Sequence, residues 1–342
     1  MQNVERELGM AHRRVTPAFA TTHLERRFAF EITADCGYSL RMNRPATAML
    51  AGLLLLGGNV PVARARHAGL LPMGTVFIGQ DRFETRVRQL RPIADKVRAL
   101  PIGERTAWFG QMLLGTPYKG YTLEIDDHIE APSVNLTGLD CWTFFETALA
   151  FARMVEEPEE QWTPETLLRC IEKDRYWAGE CTGSYLSRLH YLEDWLHDNA
   201  RRGLIRDLTR SLGGMNVTNS AIEMTHNWKK YRYMRSNPEL RAGITDLESR
   251  LRRQPMAMIP KSRVRDIEDQ IQNGDIIGII GRDGDSYGTT HVGLAIRKDG
   301  VLCLMHASAP SNYGKVVIEC RLSDYLSKHA THAGILIGRP IK

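Results

Sequence analysis

The chain has 342 residues, 43% of them hydrophobic, with 45 basic and 40 acidic side chains and a formal charge of +5. That length suits one large domain or two small ones. Residues 1–65 carry eight basic and five acidic residues, which leaves 37 against 35 for the remainder. A body so balanced, with its signs interspersed, lacks the one-sided basic field of a nucleic-acid binder, and its charge reads as solvated surface. The six cysteines (Cys36, Cys141, Cys170, Cys181, Cys303 and Cys320) form no C-x-x-C pair, and no His/Cys group has zinc-site spacing, so a structural zinc is not expected.

Residues 46–58 are a short apolar block, preceded by Arg41 and Arg44 and followed by Ala63-Arg64-Ala65. A charged region, an apolar region and an A-x-A site in that order read as a cleavable export signal at 42–65. The block falls short of the roughly 20 apolar residues that span a bilayer. Residues 1–41 are then an upstream extension with no role in the fold. The expected mature protein starts near Arg66, exported to the periplasm or medium, with no lipid anchor because no cysteine follows the block. Five cysteines remain, which fits one working thiol and at most two disulfides. Cys170–Cys181 and Cys303–Cys320 are the sequence-near pairings, but spacing does not fix connectivity.

Residues 83–100 have helical apolar spacing, broken at Pro92. A second helix is expected at 104–114, ended by Gly115 and Pro117 ahead of Tyr118. Residues 119–137 read as loop-rich. Thr163-Pro164-Glu165 starts a short helix to about 174. A longer helix is expected at 184–199 and would carry Arg188 and His190, which either contact a polar ligand or form a solvated face. Residues 204–217 read as loop, and 219–235 and 238–253 as further helices.

Beyond residue 253 the pattern turns to strands: 275–280, 290–297, 301–306, 315–320 and 334–338, with a hairpin turn at Asp299-Gly300. A helical block followed by antiparallel strands indicates an α+β fold on one shared core.

Two places carry chemistry. Leu139-Asp140-Cys141-Trp142 precedes an apolar helical run, which puts Cys141 in the first turn of a buried helix. There the helix dipole and unpaired N–H groups favour thiolate and can hold an oxyanion. Taken alone, such a cysteine is more often a packed core residue. The hairpin carries His291 and His306, which its turn places close to opposite each other, with Cβ atoms about 5 Å apart. A cysteine at a helix start and an imidazole steadied by a second polar group form the nucleophile, base and orienter of thiol catalysis.

In order along the chain stand Leu-Gly-Thr-Pro-Tyr (114–118), Asn-Leu-x-x-Leu-Asp-Cys-x-Thr-Phe-x-Glu (135–146), Ser-Arg-Leu-His-Tyr (187–191), Ile-Pro-Lys (259–261), Asn-Gly-Asp-Ile-Ile (273–277) and His-Val-Gly (291–293). This series resembles the N-acetylmuramoyl-L-alanine amidase-like branch of the NlpC-type papain-like cysteine hydrolases, from about residue 83 to the C-terminus. The resemblance implies a papain-like core, with the nucleophile helix packed on an antiparallel sheet and a helical insertion at about 156–260. It implies Cys141 as nucleophile, His291 as base and then acid, His306 as orienter and Tyr118 beside the thiol as a helper in holding the oxyanion. The insertion would shape a glycan site using Arg188 and His190. Trp142 and Phe145 depart from the family pattern and would reshape the pocket lip.

The implied function is cleavage of the lactyl–L-Ala amide of muropeptides, with an anhydro-muramic end suggested, and without metal or organic cofactor. The implied partners are peptidoglycan fragments. A D-Glu–diaminopimelate endopeptidase of the same fold, acyl transfer through the same thioester, and a non-catalytic muropeptide-binding protein are the alternatives.

Overall fold

Isoleucine, valine and leucine dominate the strands after residue 275 on both of their faces, and both faces are covered. A computed structural model describes residues 71–341; the expected export signal at 42–65 and the extension at 1–41 lie outside the described residues. In chain order the strands are β1 (Val76–Ile78), β2 (Ser133–Asn135), β3 (Ile205–Asp207), β4 (Met215–Val217), β5 (Met256–Pro260), β6 (Ile276–Asp283), β7 (Ser286–Lys298), β8 (Val301–Ala307), β9 (Val316–Arg321) and β10 (His332–Pro340). The α-helices are α1 (Gln80–Leu90), α2 (Ala94–Arg98), α3 (Ile102–Met112), α4 (Cys141–Met154), α5 (Pro164–Arg175), α6 (Leu192–Arg201), α7 (Glu223–His226), α8 (Arg232–Ser236), α9 (Leu240–Arg252), α10 (Lys261–Ile267) and α11 (Leu322–Lys328). An antiparallel sheet runs β4-β5-β10-β6-β7-β8-β9, with β3 paired to the end of β10. Strands β1 and β2 form a small parallel pair. The expected mixed α+β class with an antiparallel sheet is what the structure has.

Period-two alternation sorts the side chains of the sheet into two cores. Ile276, Ile280, Val292, Leu294 and Met305 face one way, into a core shared with Phe144, Phe145 and Leu149 of α4. Ile277, Ile279, Leu302, Leu304 and Ile335 face the other way, under Val264 of α10 and Leu326 of α11. Helix α4 is buried from Thr143 to Met154, which is why its sequence is apolar all round. Its one buried acid, Glu146, accepts from Arg175 Nε at 2.8 Å and Trp195 Nε1 at 3.2 Å. Gly278 lets α6 sit close: a Cβ there would lie 2.6 Å from Leu192 Cδ2.

Several expectations are corrected. The helix expected at 83–100 is two helices joined by a 3-10 turn at Arg91–Ile93, because Pro92 has no N–H for the ladder. The helix expected at 184–199 is not continuous. Ser184 caps one 3-10 turn (Tyr185–Ser187), residues 188–191 are extended, and α6 begins at Leu192. Long-range pairing overrides the helical pattern here, since Leu189 N donates to Arg175 O at 2.8 Å and Arg188 bridges Tyr176. Residues 204–217, read as loop, contain β3 and β4. The insertion at 156–260 is therefore not purely helical, because β3, β4 and β5 join the sheet.

The five described cysteines are all free thiols, so neither sequence-near disulfide forms. Cys303 belongs to the core on the α4 side and Cys320 packs against the opposite one, so the sheet separates their side chains.

Candidate active site

The start of α4 is fixed by its own sequence. Asp140 is extended (φ −94°, ψ −178°) and caps the helix. Its Oδ1 accepts from Thr143 N at 2.8 Å, while Asp140 N donates to Thr143 Oγ1 at 3.0 Å. This reciprocal box satisfies donors that a helix start leaves orphaned. The second carboxylate oxygen accepts from Thr122 Oγ1 at 3.1 Å. Cys141 is the first residue inside the cap. Lys119 N donates to Leu139 O and Leu139 N to Pro117 O, both at 3.0 Å, which lays Tyr118 alongside the helix start.

The two histidines meet as expected, by a different geometry. The β7–β8 register pairs Leu294 with Met305, and continuing it sets Gly293, not His291, across from His306. A Cβ on Gly293 would stand 3.0 Å from His306 Cβ and 2.7 Å from Met305 O. The bare glycine gives His291 room to reach diagonally. His291 Nε2 and His306 Nδ1 are 2.6 Å apart, with the rings nearly perpendicular at 86°. Since Nε2 of His291 is engaged, Nδ1 is the nitrogen left to serve a thiol. His306 is 2% exposed and lies 5.5 Å from the Tyr325 ring.

Sequence reasoning missed Glu319. It sits on β9 with Oε2 3.7 Å from His306 Nε2, while Lys328 Nζ (3.2 Å) and Tyr313 Oη (3.4 Å) donate to Oε1. The available signal was an acid inside the apolar run Val316-Val317-Ile318-Glu319-Cys320.

One cavity of about 370 Å³ brings the candidates together: Tyr118, Cys141, Trp142, Arg188, His190 and His291 all line it. His306 is not on its wall; it stands behind His291. Four other cavities, of about 530, 550, 770 and 1030 Å³, are larger and none is lined by Cys141, so volume does not single out this site and chemistry does.

Burial sets the resting charges. It pushes the Cys141 thiol up to about 12, helped by the Asp140 carboxylate, while backbone hydrogen bonds from Val292, Trp142 and Cys141 itself pull the other way. Burial, with His306, His332 and His329 nearby, lowers His291 to about 3. Burial also lowers His306 to about 4, against the opposing pull of Glu319. Tyr118 is raised to about 12 by burial, Cys141 and Asp140, so its phenol remains a donor. The site at rest therefore holds a thiol and neutral imidazoles.

Neither Arg188 nor His190 is helical; Arg188 is buried and His190 half-buried. Arg188 is 3% exposed, 3.8 Å from Glu124 and 3.7 Å from Glu130, and lies over the Tyr185 ring at 4.7 Å. Tyr185 and Tyr176 donate to Glu124 (2.6 Å) and Glu130 (2.7 Å). The guanidinium is thus already charge-matched, and it stiffens the wall from within. Burial pushes His190 well below its ordinary value, and Nε2 is bonded to Tyr185 O at 2.8 Å. Trp142 lines the cavity, but Phe145, expected at the lip, is fully buried against Trp195 with ring centroids 5.1 Å apart. Phe145 supports Trp142 from behind, at 5.7 Å.

A model of the N-acetylmuramoyl-L-alanine amidase-like family matches residues 108–335, which span the thiol, both histidines and the insertion. The chain belongs to this amidase-like family. Three solved structures are similar. An N-acetylmuramoyl-L-alanine amidase from Bacteroides uniformis is 28% identical, with 70% of this chain and 99% of that one covered and a TM-score of 0.62. A Bacteroides fragilis protein, provisionally named a xylanase, is 32% identical over 68% of this chain and 99% of its own, with a TM-score of 0.61. A Legionella pneumophila protein, 22% identical over 77% and 97%, shares the fold at a TM-score of 0.55. No curated protein matches the chain. Membership makes this chain an amidase-like peptidoglycan hydrolase by family.

Proposed function

We propose that the protein is a cysteine amidase that cleaves the bond between the lactyl group of N-acetylmuramic or anhydro-muramic acid and L-Ala of the stem peptide, on a papain-like core of the NlpC type. The observation that carries this reading is the convergence on one cavity of a capped helix-start thiol, backbone N–H groups turned onto its sulfur, and an imidazole anchored through Nε2.

Sγ attacks the lactyl carbonyl carbon while His291 Nδ1 takes the thiol proton. The Cys141 and Trp142 N–H groups hold the oxyanion, with the Tyr118 phenol as a further donor. The tetrahedral intermediate collapses to a thioester as His291 gives its proton to the departing L-Ala nitrogen. Water, deprotonated by His291, then attacks the thioester and releases the sugar acid and the thiol. Because thiol and imidazole both rest neutral, the proton moves during attack, not before it. Trp142 and the tyrosines of the wall supply flat apolar faces for a sugar ring. Arg188 and His190 shape that wall and set its polarity.

We do not carry the xylanase name to this chain. Glycoside hydrolysis needs two carboxyl groups flanking the bond, one of them free to give a proton. Of the three carboxylates that line this cavity, Glu124 accepts from Tyr185 and from Tyr233 N and faces Arg188, Asp140 caps α4, and Glu223 is exposed and accepts from Asn227 Nδ2, so none is a buried acid left free to give a proton. The proposal also has the protein act on soluble muropeptides outside the cytoplasm, after loss of an export signal at 42–65. Chromatography and mass spectrometry of digested muropeptides test the bond. Peptide-free sugar with a free L-Ala amino terminus supports it. Sugar retaining L-Ala-D-Glu would assign the endopeptidase activity, and binding without turnover a non-catalytic role.

A further inference from the structure

His306 and Glu319 each leave one buried atom without a hydrogen bond, and the two atoms face each other. His306 Nε2 and Glu319 Oε2 are both inaccessible and unbonded, 3.7 Å apart. A buried polar atom left unpaired costs free energy, so two of them face to face call for an explanation. Glu319 Oε1 is tied down by Lys328 Nζ and Tyr313 Oη, so the carboxylate is anchored at one oxygen and free at the other.

We propose that Glu319 is a positioning residue for the His291–His306 pair, and that it selects the tautomers on which the reaction depends. His291 Nδ1 must carry a lone pair if it is to accept the thiol proton, so its hydrogen is on Nε2. That hydrogen points at His306 Nδ1, which must then be the acceptor, leaving the His306 hydrogen on Nε2. In the opposite tautomer His306 would donate from Nδ1 to His291 Nε2, and His291 Nδ1 would carry a hydrogen toward the thiol. The 2.6 Å contact fits either arrangement. An anionic acceptor facing His306 Nε2 breaks the tie, because it stabilises the tautomer with a hydrogen there and repels the one with a lone pair. When His291 becomes imidazolium, the line His291–His306–Glu319 is polarised toward the carboxylate. The gap closes toward hydrogen-bonding distance at that stage, as contacts of this kind do in the reacting complex. No proton passes to Glu319.

The other groups around His306 do not offer this service. His291 is on β7, and the Tyr325 ring of α11 is packed at 5.5 Å. His329 and His332 each pack 5.4 Å from the Tyr325 ring, and as imidazoles near His291 they add no anionic acceptor. Lys328 reaches Glu319 rather than His306, and Cys320 bonds to Lys328. Glu319 is the only carboxylate within ion-pair range of His306 among the described residues.

The inference rests on the cysteine-amidase reading, and its test separates the two. The full chain and its Glu319→Gln, Glu319→Asp and Cys141→Ala variants are compared for turnover against pH, for thermal midpoint, and by ¹⁵N NMR of the histidine ring nitrogens. Glu319→Gln should keep KM and lower kcat by about ten- to a hundredfold, move the acid limb of kcat/KM to lower pH, and turn His306 into a tautomer mixture. Glu319→Asp should recover much of the kcat. A purely structural Glu319 would move the midpoint alone. Unchanged kcat and acid limb in Glu319→Gln, or an unaltered His306 tautomer, overturns the inference while the Cys141 reading stands. Turnover by Cys141→Ala overturns that reading itself.

Discussion

Asp140 has two separable roles: it caps α4, and its charge opposes thiolate formation at Cys141. Asp140→Ala removes both. The variant strands the Thr143 N–H and Thr122 hydroxyl that now bond the carboxylate at 2.8 and 3.1 Å. Losing an N-cap costs about 0.5–2 kcal/mol, and here two further contacts go with it, so a loss of about 2 kcal/mol is expected. For a domain of this size that is a fall in Tm of about 4–8 °C.

Asp140→Asn keeps the cap. Its amide oxygen still accepts from Thr143 N, and the Thr122 hydroxyl can rotate to accept from the amide NH₂. Only the weak 3.4 Å contact from Thr122 N is lost, so the cost is about 0.5 kcal/mol. Removing the charge beside the sulfur also lowers the thiol from its raised value of about 12, which increases the thiolate fraction at any pH below that. The assay is iodoacetamide modification of the Cys141 peptide, followed by mass spectrometry across a pH series and paired with thermal unfolding. The expected result is faster alkylation in Asp140→Asn with little change in Tm, and a clear Tm loss in Asp140→Ala. If Asn costs as much stability as Ala, or its thiol reacts no faster than wild type, the division into cap and charge is wrong.

His291→Ala should lower kcat by about a thousandfold or more with the fold intact, measured by muropeptide turnover and circular dichroism. Gly293→Ala inserts a Cβ 3.0 Å from His306 Cβ and 2.7 Å from Met305 O, so activity should fall about tenfold or more through displacement of the imidazole pair, and Tm should fall as well because the β7–β8 pairing must shift. Arg175→Met leaves Glu146 buried without its cation and should cost about 3–5 kcal/mol in denaturant unfolding, most of it recovered by adding Glu146→Leu. His291 and His306 rest near 3 and 4, below the ordinary 6.5. The unfolded chain therefore binds protons that the folded site refuses. Stability should hold above about pH 6.5 and decline as pH falls toward 4, and His306→Gln should flatten that decline in acid titrations followed by fluorescence.

The short apolar runs at 276–280, 292–296 and 301–305, bounded by turn residues, and the longer apolar run behind Cys141 made the sheet and the nucleophile helix legible, because burial on both faces leaves an unbroken apolar stretch whose length tells strand from helix. The segment 184–191 misled for the opposite reason. Its helical spacing is real, but Leu189 and Arg188 spend their backbone groups on Arg175 and Tyr176, partners that no local pattern reveals. Strands β3 and β4 are three residues each and lie at the rim of the sheet, too short to show a period. The histidine pair could be inferred from the hairpin turn, yet its diagonal geometry depended on what Gly293 lacks. Glu319 stayed hidden because its meaning comes from an imidazole on the neighbouring strand. Arg188, read from the sequence as a ligand-contacting residue, lines the cavity, while the two glutamates that face it, Glu124 and Glu130, lie about 60 residues earlier, where no local pattern links them to it.

The central claim is that the Cys141 sulfur becomes covalently acylated by the muramoyl group. Rapid acid quench of the enzyme mixed with muropeptide, followed by mass spectrometry of the Cys141 peptide, tests it most directly. The account predicts a thioester adduct with the mass of the sugar acid less water, free of stem peptide, that decays as turnover ends. Continued turnover with no adduct, or an adduct that retains the peptide, would contradict it.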